Sequence, residues 1–506
     1  MTAAMLVMGG SWVTLTLSMC LMAIVLVMIV RRGRFLYKLR DVPYPPALPI
    51  IGNAHQLFCS PEESFKKLVQ WGREFGDMYL VWVGMRPFIF LYKAEAIQPL
   101  LNSSVHIDKS LEYEYLQPWL GSGLVTSAGE KWHFRRKLLT PTFHSGLLET
   151  YFKTTMREAK ILVSCLRNEL GKPAFDIVPY AKRATLDIIC DSTMGCNIKA
   201  QTNFSNEYVQ AVNTLASISQ RRFFNVWMAF DPIFKLTTWG KQHDHALRIA
   251  HEFVNKIIAE RKAKWNANKN ENSNERPGKY QALLDLLFDL SEGGKMLTDH
   301  DIRDEVNTFM FAGHDTTATS VSWILYSLGR YPQYQNKILE EYNEVAGTKE
   351  LTLDILNKLT WLEACIKESW RLYPVVSLIA RQIYNPITIM GHDIPVGSTV
   401  FVNAFLLHRD PRYFPDPEIY RPERFLPDGP KYPSYAFVPF SAGSRNCIGW
   451  KYATMMVKVL VLNAVKNFHV ESLDTEDRLR FSSELVLANA NGLQLRITPR
   501  MQDICG

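Results

Sequence analysis

Residues 304–332 read DEVNTFMFAGHDTTATSVSWILYSLGRYP, apolar over most of their length and ending at Pro332. A helix from about Asp301 to Arg330 would span roughly 45 Å at 1.5 Å per residue. It would cross a whole domain, so the rest of the chain must be built around it. In its middle lie Gly313, Asp315, Thr316 and Thr317. A buried acid beside alcohols is costly unless it is hydrogen-bonded or used. Threonine bonding to its own backbone, with a helix kink, is one account of the alcohols. A metal site at His314 and Asp315 is another, but no second ligand pair follows at helical spacing.

The surrounding pattern is mainly α with a minor β region. Most of 145–380 has helical periodicity, whereas 379–405 and the tail GLQLRITPR alternate and turn like short strands. The asparagine-rich segment 262–280 reads as an exposed loop between helices. There is no internal repeat. A chain of 506 residues, 47% hydrophobic and 21% charged, can build one large enzyme domain. Its net charge of +7 is spread thinly, which excludes nucleic acid and suits an acidic partner or an anionic membrane surface. The eight cysteines are scattered without a CxxC, the usage of a reducing compartment.

Residues 1–30 carry no charged side chain, and LTLSMCLMAIVLVMIV (15–30) belongs to a run long enough to cross a bilayer. Arg31, Arg32, Arg34, Lys38 and Arg40 follow and would hold that side in the cytoplasm. A cleaved signal peptide would instead place its positive residues first and end in a small-residue cleavage site. The reading is an anchor over 1–30, a basic and proline-rich linker over 31–52, and a catalytic domain over 53–506.

FVPFSAGSRNCIGWKYA (437–453) sets Cys447 among glycines, serines and an arginine, just before a helix expected to start near Ile448 or Gly449. A helix N-terminus favours a negative sulfur. Gly443 and Gly449 leave room for a flat object, and Arg445 can hold an anionic group on it. From these residues alone, Cys447 is a metal ligand, a nucleophile with a distant base, or an inert buried thiol.

FSAGSRNCIG resembles the haem-binding loop of cytochrome P450, with Phe440, Gly443, Arg445, Cys447 and Gly449 in register. The resemblance implies a P450 fold and haem b, with the Cys447 thiolate as axial ligand whose electron donation favours O–O cleavage. Ser444 and Trp450 depart from the usual proline and glutamine without removing a ligand. ACIKESWRLYP and YRPERF resemble the P450 triad, here Glu368, Arg371 and Arg424, which implies a structural role. GEKWHFRRKLLTPTFH implies that Trp132 and Arg136 face the haem propionates, with Arg381 and Arg445 as further partners. The resemblance makes Asp315 and Thr316 the relay leading protons to the distal face. It also places Leu116, Trp119, Leu120, Phe309, Ala312 and Val376 around the substrate.

EVNTFMFAGHDTT is similar to the fatty-acid ω-hydroxylase group, the fourth P450 family, many of whose members have a glutamate where this chain has Ala312. That glutamate esterifies a haem methyl, so non-covalent haem is expected here. The resemblance implies a membrane-anchored monooxygenase that hydroxylates fatty acids or related lipids and terpenoids at or near the chain end. Terpenoid hormones or foreign compounds are alternative substrates. No Gly-rich dinucleotide fingerprint is present, so electrons must come from outside, and the resemblance implies NADPH–cytochrome P450 reductase as their source, with cytochrome b5 as a further donor. Arg135, Lys137, Lys451 and Lys458 are the expected docking patch. The implied location is the endoplasmic reticulum membrane, single-pass, with the catalytic domain on the cytoplasmic face. An oxygen-independent P450 isomerase or dehydratase would tend to lack the Asp315–Thr316 pair, and a haem sensor would need neither docking patch nor substrate pocket.

Overall fold

The computed structural model describes residues 2–500 except 144, 204–206, 226, 272–281 and 292–295. Helix α1 (Thr2–Lys38) continues past the expected anchor. Its candidate span is Thr14–Lys38, and an 18-residue apolar window within it is buried by no other part of the protein. The first basic residues of the expected linker are therefore helical, as suits good helix formers such as arginine and lysine. Phe35, Leu39 and Val42 then dock in a buried cluster with the main sheet. Arg32 lies over the Trp82 ring at 4.9 Å and donates to the Leu48 carbonyl at 2.8 Å. The anchor is thus joined to the body by packing as well as by the proline-rich stretch.

That sheet contains β1 (Met78–Val83), β2 (Arg86–Leu91), β3 (Leu378–Gln382) and β4 (Thr399–Asn403), in the order β1-β2-β4-β3. β1 and β2 form an antiparallel hairpin, β2 runs parallel to β4, and β3 is antiparallel to β4. The first two strands are almost wholly buried. A strand covered on both faces shows an apolar run in place of alternation, so period-2 patterning does not reveal them. Gln494–Pro499 pairs on its two sides with Phe468–Ser472 and Phe175–Asp176, and Phe481–Glu484 forms a hairpin with Val486–Asn489.

Helices make up the rest, among them α2 (Gly129–Leu139), α3 (Val178–Ser192), α4 (Glu207–Phe224), α5 (Thr238–Glu271), α6 (Asp299–Arg330), α7 (Thr360–Leu372) and α8 (Trp450–Asn467). The expected loop at 262–280 is corrected in part. α5 runs on through Glu271, and 272–280 lies outside the described residues.

α6 is the long helix predicted from residues 301–330. The Thr298 side chain accepts from Asp301 N–H, and Asp301 reaches back to the Thr298 N–H, a reciprocal cap at its start. Most of it from Ile302 to Gly329 is buried. Gly313 lets α3 approach closely, because a Cβ there would lie 2.6 Å from Ile189 Cδ1. Thr185 on α3 donates to the His314 carbonyl at 2.9 Å, fixing the register of the two helices.

Candidate active site

The cysteine loop is built by backbone constraint. Cys447 N–H donates to the Phe440 carbonyl at 3.0 Å. Gly443 turns the chain at φ +71, where a Cβ would lie 1.8 Å from the Leu101 carbonyl oxygen. α8 begins at Trp450 with Gly449 as its cap, so Cys447 lies just before the helix. Its sulfur is accessible but enclosed by protein, because it faces an internal cavity. Burial pushes its thiol up, while a bond from the Gly449 backbone and the Arg136 guanidinium pull it down. Coordination to a metal ion deprotonates such a thiol.

The loop is braced from behind. Arg371 donates to both oxygens of Glu368 at 2.8 Å, and both side chains are fully buried. Arg371 also donates to the carbonyls of His408, Pro417 and Ile419. Arg424 Nε lies 3.5 Å from Glu368 Oε1. His408 accepts the Val438 N–H at 2.9 Å, and burial pulls its imidazole down to about 3, so it is neutral. Trp370 on α7 stacks edge-on against Phe440 and donates to Ser320 Oγ on α6 at 2.6 Å. These contacts tie the cysteine loop to the long helix opposite.

The cavity is about 360 Å³. Cys447, Phe440 and Gly449 line it on one side, and Phe309, Ala312, Gly313, Thr316 and Thr317 of α6 also line it. Most other walls are apolar, including Leu116, Val376, Phe401 and Val486.

Cations with no ion-paired carboxylate among the described residues cluster beside this cavity, with Asp108 the acid that acts on Arg381 and Arg445. Arg445 Nη2 donates to the carbonyls of Val125 and Ser127 at 3.3 and 2.6 Å, and its Nη1 has no partner among the described residues. Its guanidinium lies 4.5 Å from the Trp132 ring centre. Burial and the nearby Arg381 pull it down to about 9. Arg381 is buried and donates to the Ala380 carbonyl at 3.0 Å. Lys109 lies over the Tyr113 ring at 4.6 Å, and burial, Arg381 and Arg445 hold it well below the usual lysine range. Arg136 clamps Asn446 through two 2.7 Å bonds. Buried like charges are tolerable where an anion completes the site. A flat apolar group with carboxylates at one edge and a metal for the Cys447 sulfur fits this donor set, which is the chemistry of haem.

The sequence profile of cytochrome P450 matches residues 42–496. The chain belongs to the cytochrome P450 family. Among its relatives, cytochrome P450 4c3 of Drosophila melanogaster is 39% identical over 490 residues, covering 93% of this chain and 91% of the relative. Cytochrome P450 4V2 of Mus musculus is 40% identical over 489 residues, 94% and 93% of the two chains. Cytochrome P450 4d2 of Drosophila melanogaster is 38% identical over 482 residues, 92% and 96%. This P450 is therefore a family 4 member, a haem b monooxygenase of the microsomal membrane type that uses a redox partner and a lipophilic substrate.

The structure places several of the expected residues away from the cavity wall. Trp119 and Leu120 do not line the cavity. Trp119 packs against Phe311 at 4.6 Å, behind the wall. Arg135 is not on a docking surface: it is buried against Asp301 and Glu305. Lys458 is likewise buried, 2.7 Å from Glu363. Lys137 and Lys451 are exposed. Asp315 does not line the cavity but pairs with Lys182 of α3, while Thr316 donates to the Ala312 carbonyl at 2.6 Å. The local threonine bond, one of the accounts open from sequence, is thus present.

Other cavity residues carry no local signal. Lys109, Tyr113, Phe224 and Phe401 come from separate loops, helices and strands. Lys109 stands in an unremarkable IDKSL stretch. Only its placement beside Arg381 and Arg445 marks it.

Proposed function

We propose that this P450 hydroxylates fatty acids or related lipids and terpenoids at or near the chain end, in the endoplasmic reticulum membrane. Residues 1–30 form the single-pass anchor, 31–52 the connection, and 53–506 the catalytic domain on the cytoplasmic face. The observation that carries the reading is a mainly apolar cavity lined by both Cys447 and the alcohols of α6. Such a wall suits a long apolar chain and excludes water around it.

Cys447 would hold the haem iron through its sulfur. Lys109, Trp132, Arg136, Arg381 and Arg445 hold the carboxylates, and Phe440, Gly443 and Gly449 keep the loop in place. Bound haem supplies the activation of dioxygen. Lys182, Asp315 and Thr316 lead protons from the α3 side toward the cavity. Leu116, Phe309 and Val376 orient the chain. Glu368, Arg371 and Arg424 keep the loop braced. Ala312 has no carboxyl, so the haem is held without an ester, and acid extraction releases it from a polypeptide of unmodified mass. Lys137 and Lys451 form the exposed basic face for the acidic flavoprotein reductase, and cytochrome b5 uses the same face.

Reconstitution with NADPH–cytochrome P450 reductase tests the reading. Long-chain fatty acids should yield terminal or near-terminal alcohols that carry one atom from labelled O₂. Turnover confined to terpenoid hormones or foreign compounds would overturn the fatty-acid assignment. The small Ala312 side chain in the cavity wall favours that second reading, because it leaves room for a bulkier substrate.

A further inference from the structure

Residues 121–127, GSGLVTS, form the loop before α2. Two buried carboxylates on α6 hold it. Asp304 Oδ2 accepts from the Ser122 backbone at 2.8 Å and from its hydroxyl at 3.1 Å. Glu305 Oε2 accepts the Leu124 N–H at 3.1 Å, and its Oε1 accepts from Arg135 at 2.6 Å. The approach is too close for a side chain on the loop. A Cβ at Gly121 would lie 1.9 Å from Asp304 Oδ1, and one at Gly123 would lie 2.2 Å from Thr308 Oγ1.

The same loop does two things at the cavity. Leu124 and Val125 line it, and the carbonyls of Val125 and Ser127 seat Arg445. Neither Asp304 nor Glu305 lines the cavity itself. Burying two carboxylates there is costly, and hydrogen bonds to backbone N–H groups are the means by which such charges fix a loop.

We infer that Asp304 and Glu305 are positioning residues, a carboxylate clamp that sets the 121–127 loop on α6 and so places Leu124 and Val125 in the cavity wall. The inference rests on the cavity above Cys447 receiving an apolar chain, and it is independent of which lipid is the substrate.

Two probes test it on the full-length ferric holoprotein by absorbance titration. Imidazole needs only the haem, whereas dodecylimidazole also fills the cavity. Glu305→Gln should raise the dissociation constant of dodecylimidazole at least tenfold and move that of imidazole less than twofold. Gly123→Ala should do the same without altering any carboxylate. The double variant should be no weaker than the weaker single variant, because one loop is displaced once. Should Glu305→Gln fail to take up haem, Asp304→Asn replaces it in the comparison. Unchanged dodecylimidazole affinity, equal shifts for both probes, or effects that multiply would overturn the clamp. A wild-type protein that binds dodecylimidazole no more tightly than imidazole would instead overturn the apolar-chain reading of the cavity.

Discussion

Lys182 Nζ lies 2.7 Å from Asp315 Oδ1, an ion pair that joins α3 to α6 behind the cavity wall. Burial pushes the Asp315 carboxyl up, but Lys182 and His314 outweigh it and hold the carboxyl below its usual range. Gly313, two residues before Asp315, faces Ile189 of α3 at the same helix contact. Lys182 is the outer member, with a side chain 13% exposed against 2% for Asp315.

Asp315→Asn should lower kcat by about 10²-fold, the lower end of what a positioned proton donor supplies. KM should change little, since Asp315 does not line the cavity. The check is product formed per NADPH consumed, which should fall with kcat. Unchanged kcat and coupling would remove Asp315 from the proton path.

Glu368 and Arg371 have no exposed side-chain surface, so removing one leaves the other as an uncompensated buried charge. Arg371→Met should cost about 3–5 kcal/mol. Denaturant unfolding followed by tryptophan fluorescence reads this directly. A loss below about 1 kcal/mol, the value typical of an exposed pair, would mean the pair is not a structural brace.

Lys109→Met should speed haem loss. A charge-assisted hydrogen bond is worth about 1.5–3 kcal/mol, about 10- to 100-fold in the rate. Transfer of haem to excess apomyoglobin measures it. Lys109→Arg should restore slow loss, because it keeps the cation beside Arg381 and Arg445. Equal loss rates for both variants would assign Lys109 to packing alone.

Glu305 predicts a pH dependence of stability. Burial pushes its carboxyl up from 4.5 to about 7, against the pull of Arg135 and the Leu124 N–H. Between those values the folded protein keeps a proton that the unfolded chain has released. The group's contribution is therefore fullest below about pH 4.5 and is lost as pH rises through 7. The loss is about 3 kcal/mol. Unfolding free energies of wild type and Glu305→Gln at pH 5 and 8 should show a difference that moves by about 2–3 kcal/mol in the variant's favour. A difference that stays constant would mean that Glu305 titrates alike in both states.

Much of the site could be read from sequence because its parts are contiguous. The spacing of Phe440, Gly443, Arg445, Cys447 and Gly449 is a local backbone requirement, and Gly443 shows why: its φ and its contact with Leu101 admit no side chain. Glu368 and Arg371 are one helical turn apart, so their pairing follows from spacing. Arg135 and Lys458 were misplaced for the opposite reason. Arg135 stands beside Arg136 and the exposed Lys137, whereas Lys458 stands in the apolar run MMVKVLV, and only Asp301, Glu305 and Glu363 brought from elsewhere pair each one in the interior. Trp119 and Leu120 stand behind the cavity wall, and their residue types do not show it, because an apolar residue near a cavity can face it or back it. Lys109 went unseen because a single lysine in a loop has no period and no motif.

The sequence by itself determined the apolar anchor, the long central helix, the cysteine loop and hence the haem-thiolate class, since each depends on neighbours within a few turns of chain. Tertiary structure alone decided which cations are left without an ion-paired acid, which carboxylates are buried, and which side chains line the cavity. Those properties depend on the electrostatic and steric surroundings that packing creates between residues far apart in the chain, and residue type does not encode them.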